Sequence, residues 1–496
     1  MNEVNGGNSM LSKVVKDKLI SIVSRENFDD AKTERLVYSY DSTPNLQAMP
    51  DAVVSPRNTK EVSEVVKVCN ENKVPIVPRG SGTNLCGGTC PTEGGVVILF
   101  KHMNSIVDLD EENLTITVQP GVICLDVANA ASAKGLFYPP DPGSMKIATI
   151  GGAINENSGG LRGLKYGVTR DYVIGLEVVM PNGDIVRTGG KLAKDVAGYD
   201  LTRLMVGSEG TLGIITEAIL KLIPMPETKK TMLALYQDLE AAAKSVSKII
   251  ANKIIPVTLE FLDQPTIRVV EDYSQIGLPT DVQAVLLIEQ DGSPEVVERD
   301  IEKIIKVCKQ EGAVSVQVAS SEEEALALAA ARRTALSALA RLKPTTVLED
   351  ATVPRSEIAK MVNAINNIAD KYNLQICTFG HAGDGNLHPT CPTDARNHEE
   401  MERVEMAFAE IFERAVELGG TITGEHGVGV MKAPYLEWKL GKEGIAVMKA
   451  IKLALDPNNI MNPGKVFAKS YRKRVVVSGQ GTVSAADDKK HMVVSK

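Results

Sequence analysis

A chain of 496 residues has room for two or three domains, each with its own core. It carries 63 acidic and 55 basic residues, a net charge of −8, and 4% aromatic residues with a single Trp. That balance excludes a basic nucleic-acid binder with aromatic stacking platforms. No apolar stretch reaches the roughly 18 residues a membrane helix needs, and the opening MNEVNGGNSMLSKVVKDKL lacks the apolar core of a secretory signal. The expectation is a cytoplasmic protein without a transmembrane segment, peripheral to a membrane only through a partner.

Residues 1–46 read as polar and partly helical. From 47 to 226, short β-rich runs at 52–54, 75–77, 96–100, 114–118 and 177–180 are broken by glycine, and a helix at 61–72 repeats Val62, Val65, Val66 and Val68. Pro181-Asn182-Gly183-Asp184 between two such runs signals a hairpin. Residues 227–424 change texture. Apolar runs at 232–236, 257–261, 284–288, 314–318, 346–348 and 375–378 alternate with charged helices at 296–310, 320–341 and 354–372, which predicts an α+β layer domain with helices on one face of a sheet. An amphipathic helix at 399–418, built on Met401, Val404, Phe408, Ile411, Phe412 and Ala415, stops at Gly419-Gly420. A last segment, 425–470, precedes a polar tail expected to be flexible after Tyr471.

The seven cysteines are odd in number and scattered, which reads as free thiols in a reducing compartment. With only Cys86 and Cys90 close together, no iron–sulfur cluster is expected in this chain.

Glycine is densest in four loops: Pro78-Arg79-Gly80-Ser81-Gly82-Thr83-Asn84, Gly151-Gly152-Ala153-Ile154-Asn155, Ser158-Gly159-Gly160 and Gly207-Ser208-Glu209-Gly210-Thr211-Leu212-Gly213. Glycine lets the backbone approach a ligand closely, so successive N–H groups can converge on an anion. The first loop follows a strand and adds hydroxyl and amide donors, which suits a pyrophosphate. It is neither a Walker loop nor a dinucleotide fingerprint opening a helix. Four such loops argue against turns alone.

Three of the six histidines fall in two compact motifs, His381-Ala-Gly-Asp-Gly-Asn-Leu-His388 and Gly424-Glu425-His426-Gly427-Val428-Gly429. The glycines make a helix improbable between His381 and His388, and an unbroken strand would send them to opposite faces. A turn at 383–385 would bring them together. Two imidazoles and a carboxylate, with Glu425 as the third ligand, make a competent divalent metal site with open positions for substrate.

The first loop, Pro140-Asp141-Pro142-Gly143-Ser144, Ala148-Thr149-Ile150-Gly151-Gly152 and the Gly207–Gly213 loop occur in the order found in the FAD-binding domain of the vanillyl-alcohol oxidase/p-cresol methylhydroxylase superfamily, which the chain resembles. The resemblance implies a PCMH-type FAD-binding domain with an antiparallel-sheet-plus-helices substrate cap. It implies cofactor contacts at Pro78, Arg79, Gly80, Ser81, Gly82, Thr83, Asn84, Pro142, Gly143, Ser144, Thr149, Gly151, Gly152, Asn155, Gly159, Gly160, Glu209, Gly213, Ile215 and Asn462. Members that attach FAD covalently use a histidine near the first loop. Gly82 and Thr83 occupy that stretch here, so non-covalent FAD is expected.

The histidine motifs are similar to those of one branch, the FAD-linked D-2-hydroxyacid dehydrogenases, over about 30–468. By this likeness His381, His388 and Glu425 would hold one divalent metal (Zn, Fe or Mn) and His426 would be the catalytic base. Arg332 lies where the branch places a carboxylate-binding arginine; Arg333 beside it is an alternative, and Ala329 stands where a Trp is usual. Leu336 and Leu348, where members acting on dicarboxylates carry polar or cationic groups, point to a small monocarboxylic acid, D-lactate or glycolate. The reduced flavin would pass its electrons to a separate acceptor: an iron–sulfur subunit, an electron-transfer flavoprotein or a quinone. Two rival readings share the fold: an alkylglycerone-phosphate-synthase-like transferase and a non-catalytic flavin electron-relay subunit.

Overall fold

The computed structural model describes residues 11–467; the tail after Tyr471 lies outside them. Among the described residues no helix is long and apolar enough to cross a membrane.

The first sheet sets the strands Phe28–Asp29, Ala52–Val54, Val96–Leu99 and Ile76–Arg79 side by side in that order, the last three parallel. Parallel strands of one sheet require a crossover, and helix Thr59–Glu71 makes the one from Ala52–Val54 to Ile76–Arg79, the strands on either side of Val96–Leu99. Asn58 caps that helix by accepting the Glu61 N–H at 3.0 Å, and Val62, Val65 and Val66 bury against the sheet. The second sheet is antiparallel, ordered Ile106–Asp110, Thr115–Val118, Ile214–Lys221, Val173–Val179 and Ile185–Gly189. The expected hairpin joins its last two strands, with Gly183 at φ +85° in the turn.

The third sheet has eight strands. Seven run in the order Ser315–Val318, Thr228–Tyr236, Ala284–Gly292, Thr258–Asp263, Cys377–His381, Asn386–Thr393 and Thr345–Leu348, and Ala351–Thr352 pairs with Asn386–Thr393. The expectation of helices on one face only is corrected here. Met232, Ala234 and Tyr236 point into a core shared with helices Leu239–Ala251, Pro294–Gln310, Ile358–Tyr372 and His398–Glu417. Leu233 and Leu235, alternating with them, enter a second core with helices Gln264–Ser274, Glu322–Arg333 and Ala335–Leu339. Both faces are therefore covered. The single helix expected over 320–341 is divided at Thr334, whose hydroxyl turns back to donate to the Ala331 carbonyl at 2.8 Å.

After helix Leu436–Leu455 the chain returns to the first sheet. The Ile76 N–H donates to the Ile460 carbonyl and the Asn462 N–H to the Ile76 carbonyl, both at 2.7 Å.

Candidate active site

The two histidines meet because of a hairpin. Cys377–His381 and Asn386–Thr393 pair antiparallel with Phe379 opposite His388 and His381 opposite Asn386, so His381 and His388 share one face as diagonal neighbours. Gly385, at φ +87°, makes the turn, and a side chain there would strike the Val353 carbonyl. The face they share carries Leu262 and Phe379 of the second core, and Arg332 reaches it from the end of helix Glu322–Arg333.

Glu425 closes the cluster. Its Oε1 lies 3.4 Å from His381 Nε2 and 3.2 Å from His388 Nε2. The ring of His426 stacks on that of His388, with centroids 5.2 Å apart and planes 12° from parallel. Burial pulls the His426 imidazole down to about 4, against the pull of Asp350, so it is an unprotonated base near neutral pH. Burial also lowers His388. His381 goes the other way: burial opposes its charge, but Glu260 and Glu425 hold it well above the usual histidine range. Glu425 is drawn well below the carboxylate range by His381 and His388, although burial opposes this.

Two imidazole nitrogens and one carboxylate oxygen converge at one point. That N, N, O donor set could hold a divalent cation such as Zn, Fe or Mn. The remaining nitrogen of His381 is tied to Glu260 Oε1 at 2.7 Å, an outer partner of the kind that would fix a ligating tautomer.

The motif carrying Glu425 and His426 is held by Asp350, which is fully buried. Its Oδ2 accepts the N–H groups of Gly424 at 2.6 Å, Glu425 at 2.8 Å and His426 at 3.3 Å, while Oδ1 faces His426 Nδ1 at 3.3 Å and pairs with the buried Lys432 ammonium. Glu209 grips the next stretch: its carboxylate accepts the N–H of Val428 at 2.7 Å and of Gly429 at 2.6 Å.

A cavity of about 490 Å³ joins this cluster to the glycine loops. His381, His388, Glu425, His426 and Arg332 line one end. Pro78, Arg79, Gly80, Ser81, Gly82, Thr83, Asn84, Pro142, Gly143, Ser144, Thr149, Gly151, Gly152, Asn155, Gly159, Glu209 and Ile215 line the rest. A glycine-walled trough of this kind fits an extended dinucleotide, with backbone groups open to its phosphates.

Three expected contacts do not reach the cavity. Gly160 packs on the Asp141 backbone and Gly213 on Val178. The Asn462 side-chain amide donates to the carbonyls of Gly88 and Glu209 at 2.8 and 2.7 Å, clasping the chain end to the loops. Arg79 braces its own loop, donating to the Tyr40 carbonyl at 2.7 Å and to Thr89 Oγ1 at 3.2 Å. Of the two arginines, Arg333 donates to Asp141 Oδ2 at 2.8 Å across to the loop side, whereas Arg332 pairs with Glu260 and lies over the Phe379 ring at 4.8 Å.

Gly82 is at φ +72°, and a Cβ there would fall 2.2 Å from Arg79 Nη2. Gly82→Ala is therefore expected to cost more than about 1 kcal/mol in the cofactor-binding form of the loop. The FAD-to-protein ratio after gel filtration should fall; full retention of flavin would refute the role given to the loop.

A family model described as "FAD binding domain" matches residues 50–189, and one described as "FAD linked oxidases, C-terminal domain" matches residues 225–466. The chain belongs to the FAD-linked oxidase family and is a flavin-dependent oxidoreductase. Within that family it is 75% identical over 467 residues to the glycolate oxidase subunit GlcD of Bacillus subtilis, covering 94% of this chain and 99% of that one. It is 38% identical to a D-lactate dehydrogenase of Anaerostipes hadrus, covering 92% of this chain and 96% of that one. Among solved structures, p-cresol methylhydroxylase with substrate bound superposes at TM-score 0.77 with 19% identity, over 92% of this chain and 96% of that one. Alkyldihydroxyacetonephosphate synthase superposes at 0.73 with 18% identity, over 93% and 87%. These two likenesses show the fold.

Proposed function

We propose that the protein oxidises a small D-2-hydroxy acid, D-lactate or glycolate, to the 2-oxo acid and passes the electrons to a separate acceptor. The observation that carries this reading is the single cavity in which the glycine loops, Arg332 and the His381, His388, Glu425 and His426 cluster meet. The names of the two relatives, a glycolate oxidase subunit and a D-lactate dehydrogenase, support the same substrate class.

FAD, when bound, supplies the acceptor for the hydride leaving C2, and a divalent metal held by His381, His388 and Glu425 supplies a Lewis acid for the hydroxyl. The chain does the remainder. Arg332 receives the substrate carboxylate through a guanidinium fork, which fixes the reacting carbon. His426 takes the hydroxyl proton as the carbonyl forms. Leu336, Leu348 and Phe379 line the cavity around Arg332, and Arg333, which also lines it, is paired with Asp141, which favours a monocarboxylic acid. The acceptor is external: an iron–sulfur subunit, an electron-transfer flavoprotein or a quinone. Among the described residues, the candidate metal-ligand groups contain at most one cysteine each.

The test is an anaerobic visible spectrum of the flavin-loaded, metal-replete protein before and after D-lactate or glycolate. Bleaching of the flavin band near 450 nm by either acid, and by D- but not L-lactate where lactate is the substrate, bears the reading out. A flavin that no 2-hydroxy acid bleaches overturns it in favour of the transferase, which shares the fold. A companion expectation concerns the metal. Dialysis against a chelator should abolish bleaching while the flavin stays bound, and Zn, Fe or Mn should restore it; activity unchanged in metal-free protein would remove the metal from the reading.

A further inference from the structure

We propose that Glu260 is a positioning residue that ties the substrate-carboxylate arginine to the metal-site histidine, so that both ends of a hydroxy acid are held in one register. This rests on the function proposed above.

Glu260 interrupts an apolar strand, Thr258–Asp263, and its side chain has no solvent exposure. The strand pairs Phe261 with Gly380 and Leu262 with Phe379, a register that brings Glu260 opposite His381. Neighbouring Leu259 and Phe261 point into the first core, so Glu260 alternates onto the face of the histidines. One carboxylate oxygen serves each partner: Oε1 meets His381 Nδ1 at 2.7 Å and Oε2 meets Arg332 Nη2 at 2.5 Å.

A buried carboxylate with no solvent contact is costly unless both oxygens are used, and here they are divided between two functions. Toward His381, it accepts the Nδ1–H hydrogen bond, which leaves Nε2 to face Glu425 and the cation position. Toward Arg332, it fixes the guanidinium from one side while the Phe379 ring supports its flat face. A purely structural ion pair would need only the arginine. The second oxygen on a metal-site histidine is what a brace between the two subsites requires.

The experiment compares flavin-loaded wild type with Glu260→Gln. The Gln variant keeps the volume and one acceptor but turns an amide N–H₂ toward one of two donors. Two quantities are read besides turnover: metal retained per FAD across a chelator series, and oxalate affinity from the perturbation of the flavin spectrum. The brace predicts that both weaken together by about tenfold or more, with KM for the hydroxy acid rising more than kcat falls. Weakening of one quantity alone, or of neither, overturns it. Glu260→Asp, which keeps the charge on an arm one carbon shorter, is read in the same way if the Gln variant is insoluble. Insolubility of both assigns Glu260 a folding role and also overturns the proposal. A wild-type protein that holds no metal and bleaches with no hydroxy acid would instead sink the function reading, with the Glu260 contrast left out of account.

Discussion

His426→Asn is expected to slow flavin reduction by a 2-hydroxy acid by roughly 10²–10⁴-fold, the range lost when a positioned base is removed, with FAD and metal still bound. The ring of His426 lines the cavity beside Glu425, and burial holds it unprotonated. Its environment is closed on every other side: stacked on His388, backed by Asp350, fixed at its backbone N–H. Asparagine fills part of that space and offers an amide that cannot take a proton. Because Glu425 is supported by its own backbone bond to Asp350 at 2.8 Å, the metal ligands should stay in place. Anaerobic stopped-flow absorbance measures the step directly. A reduction rate within a few-fold of wild type would show that another group takes the proton.

Asp350→Asn should be the most damaging single substitution to stability among the polar residues of the site. Asp350 and Lys432 are both essentially excluded from water, and the carboxylate also receives three successive backbone N–H groups. Breaking a buried pair by neutralising one member costs about 3–5 kcal/mol, because the remaining charge stays buried. An asparagine amide would in addition turn a donor toward either Lys432 or the row of N–H groups. Urea unfolding measures the loss. Turnover should fall with it, since the Gly424–His426 turn loses its anchor. The double variant Asp350→Asn, Lys432→Met should recover part of the stability and none of the activity, which separates the charge from the anchor. A single variant as stable as wild type would mean that Lys432 is adequately balanced by Glu349, 3.3 Å away.

Much of the site was legible because its chemistry is written locally. His381 and His388 sit in one hairpin, and the glycines between them already argued for a turn; the pairing of Phe379 with His388 carries that argument through. Glu425 and His426 are adjacent in the chain. Glu260 and Asp350 were missed because their roles depend on partners more than a hundred and about seventy residues away in sequence, respectively. A signal existed for Glu260: one carboxylate between Leu259 and Phe261 in an apolar run must find partners if buried. Asp350 stands two residues after Leu348, with no spacing that marks a role. In the fold, the two-faced cap sheet was also signalled. The unbroken run Met232–Leu233–Ala234–Leu235–Tyr236 has no polar alternation, which is the mark of a strand buried on both sides. Asn462 was placed near the flavin by resemblance; the donation of its amide to the carbonyls of Gly88 and Glu209 depends on backbone positions no motif encodes.

The bond between Ile76 and residues 460–462 bears on how a cell makes this protein. Synthesis runs from the N-terminus, so the strand at Ile76–Arg79 leaves the ribosome well before the segment that completes its edge. Until Met461 arrives, that strand presents unpaired backbone groups, and the carbonyls of Gly88 and Glu209 lack the Asn462 clasp. Glu209 likewise waits for the N–H groups of Val428 and Gly429. Completion of this sheet edge therefore waits for residues 460–462, and until they arrive the backbone of the strand at Ile76 is open along that side.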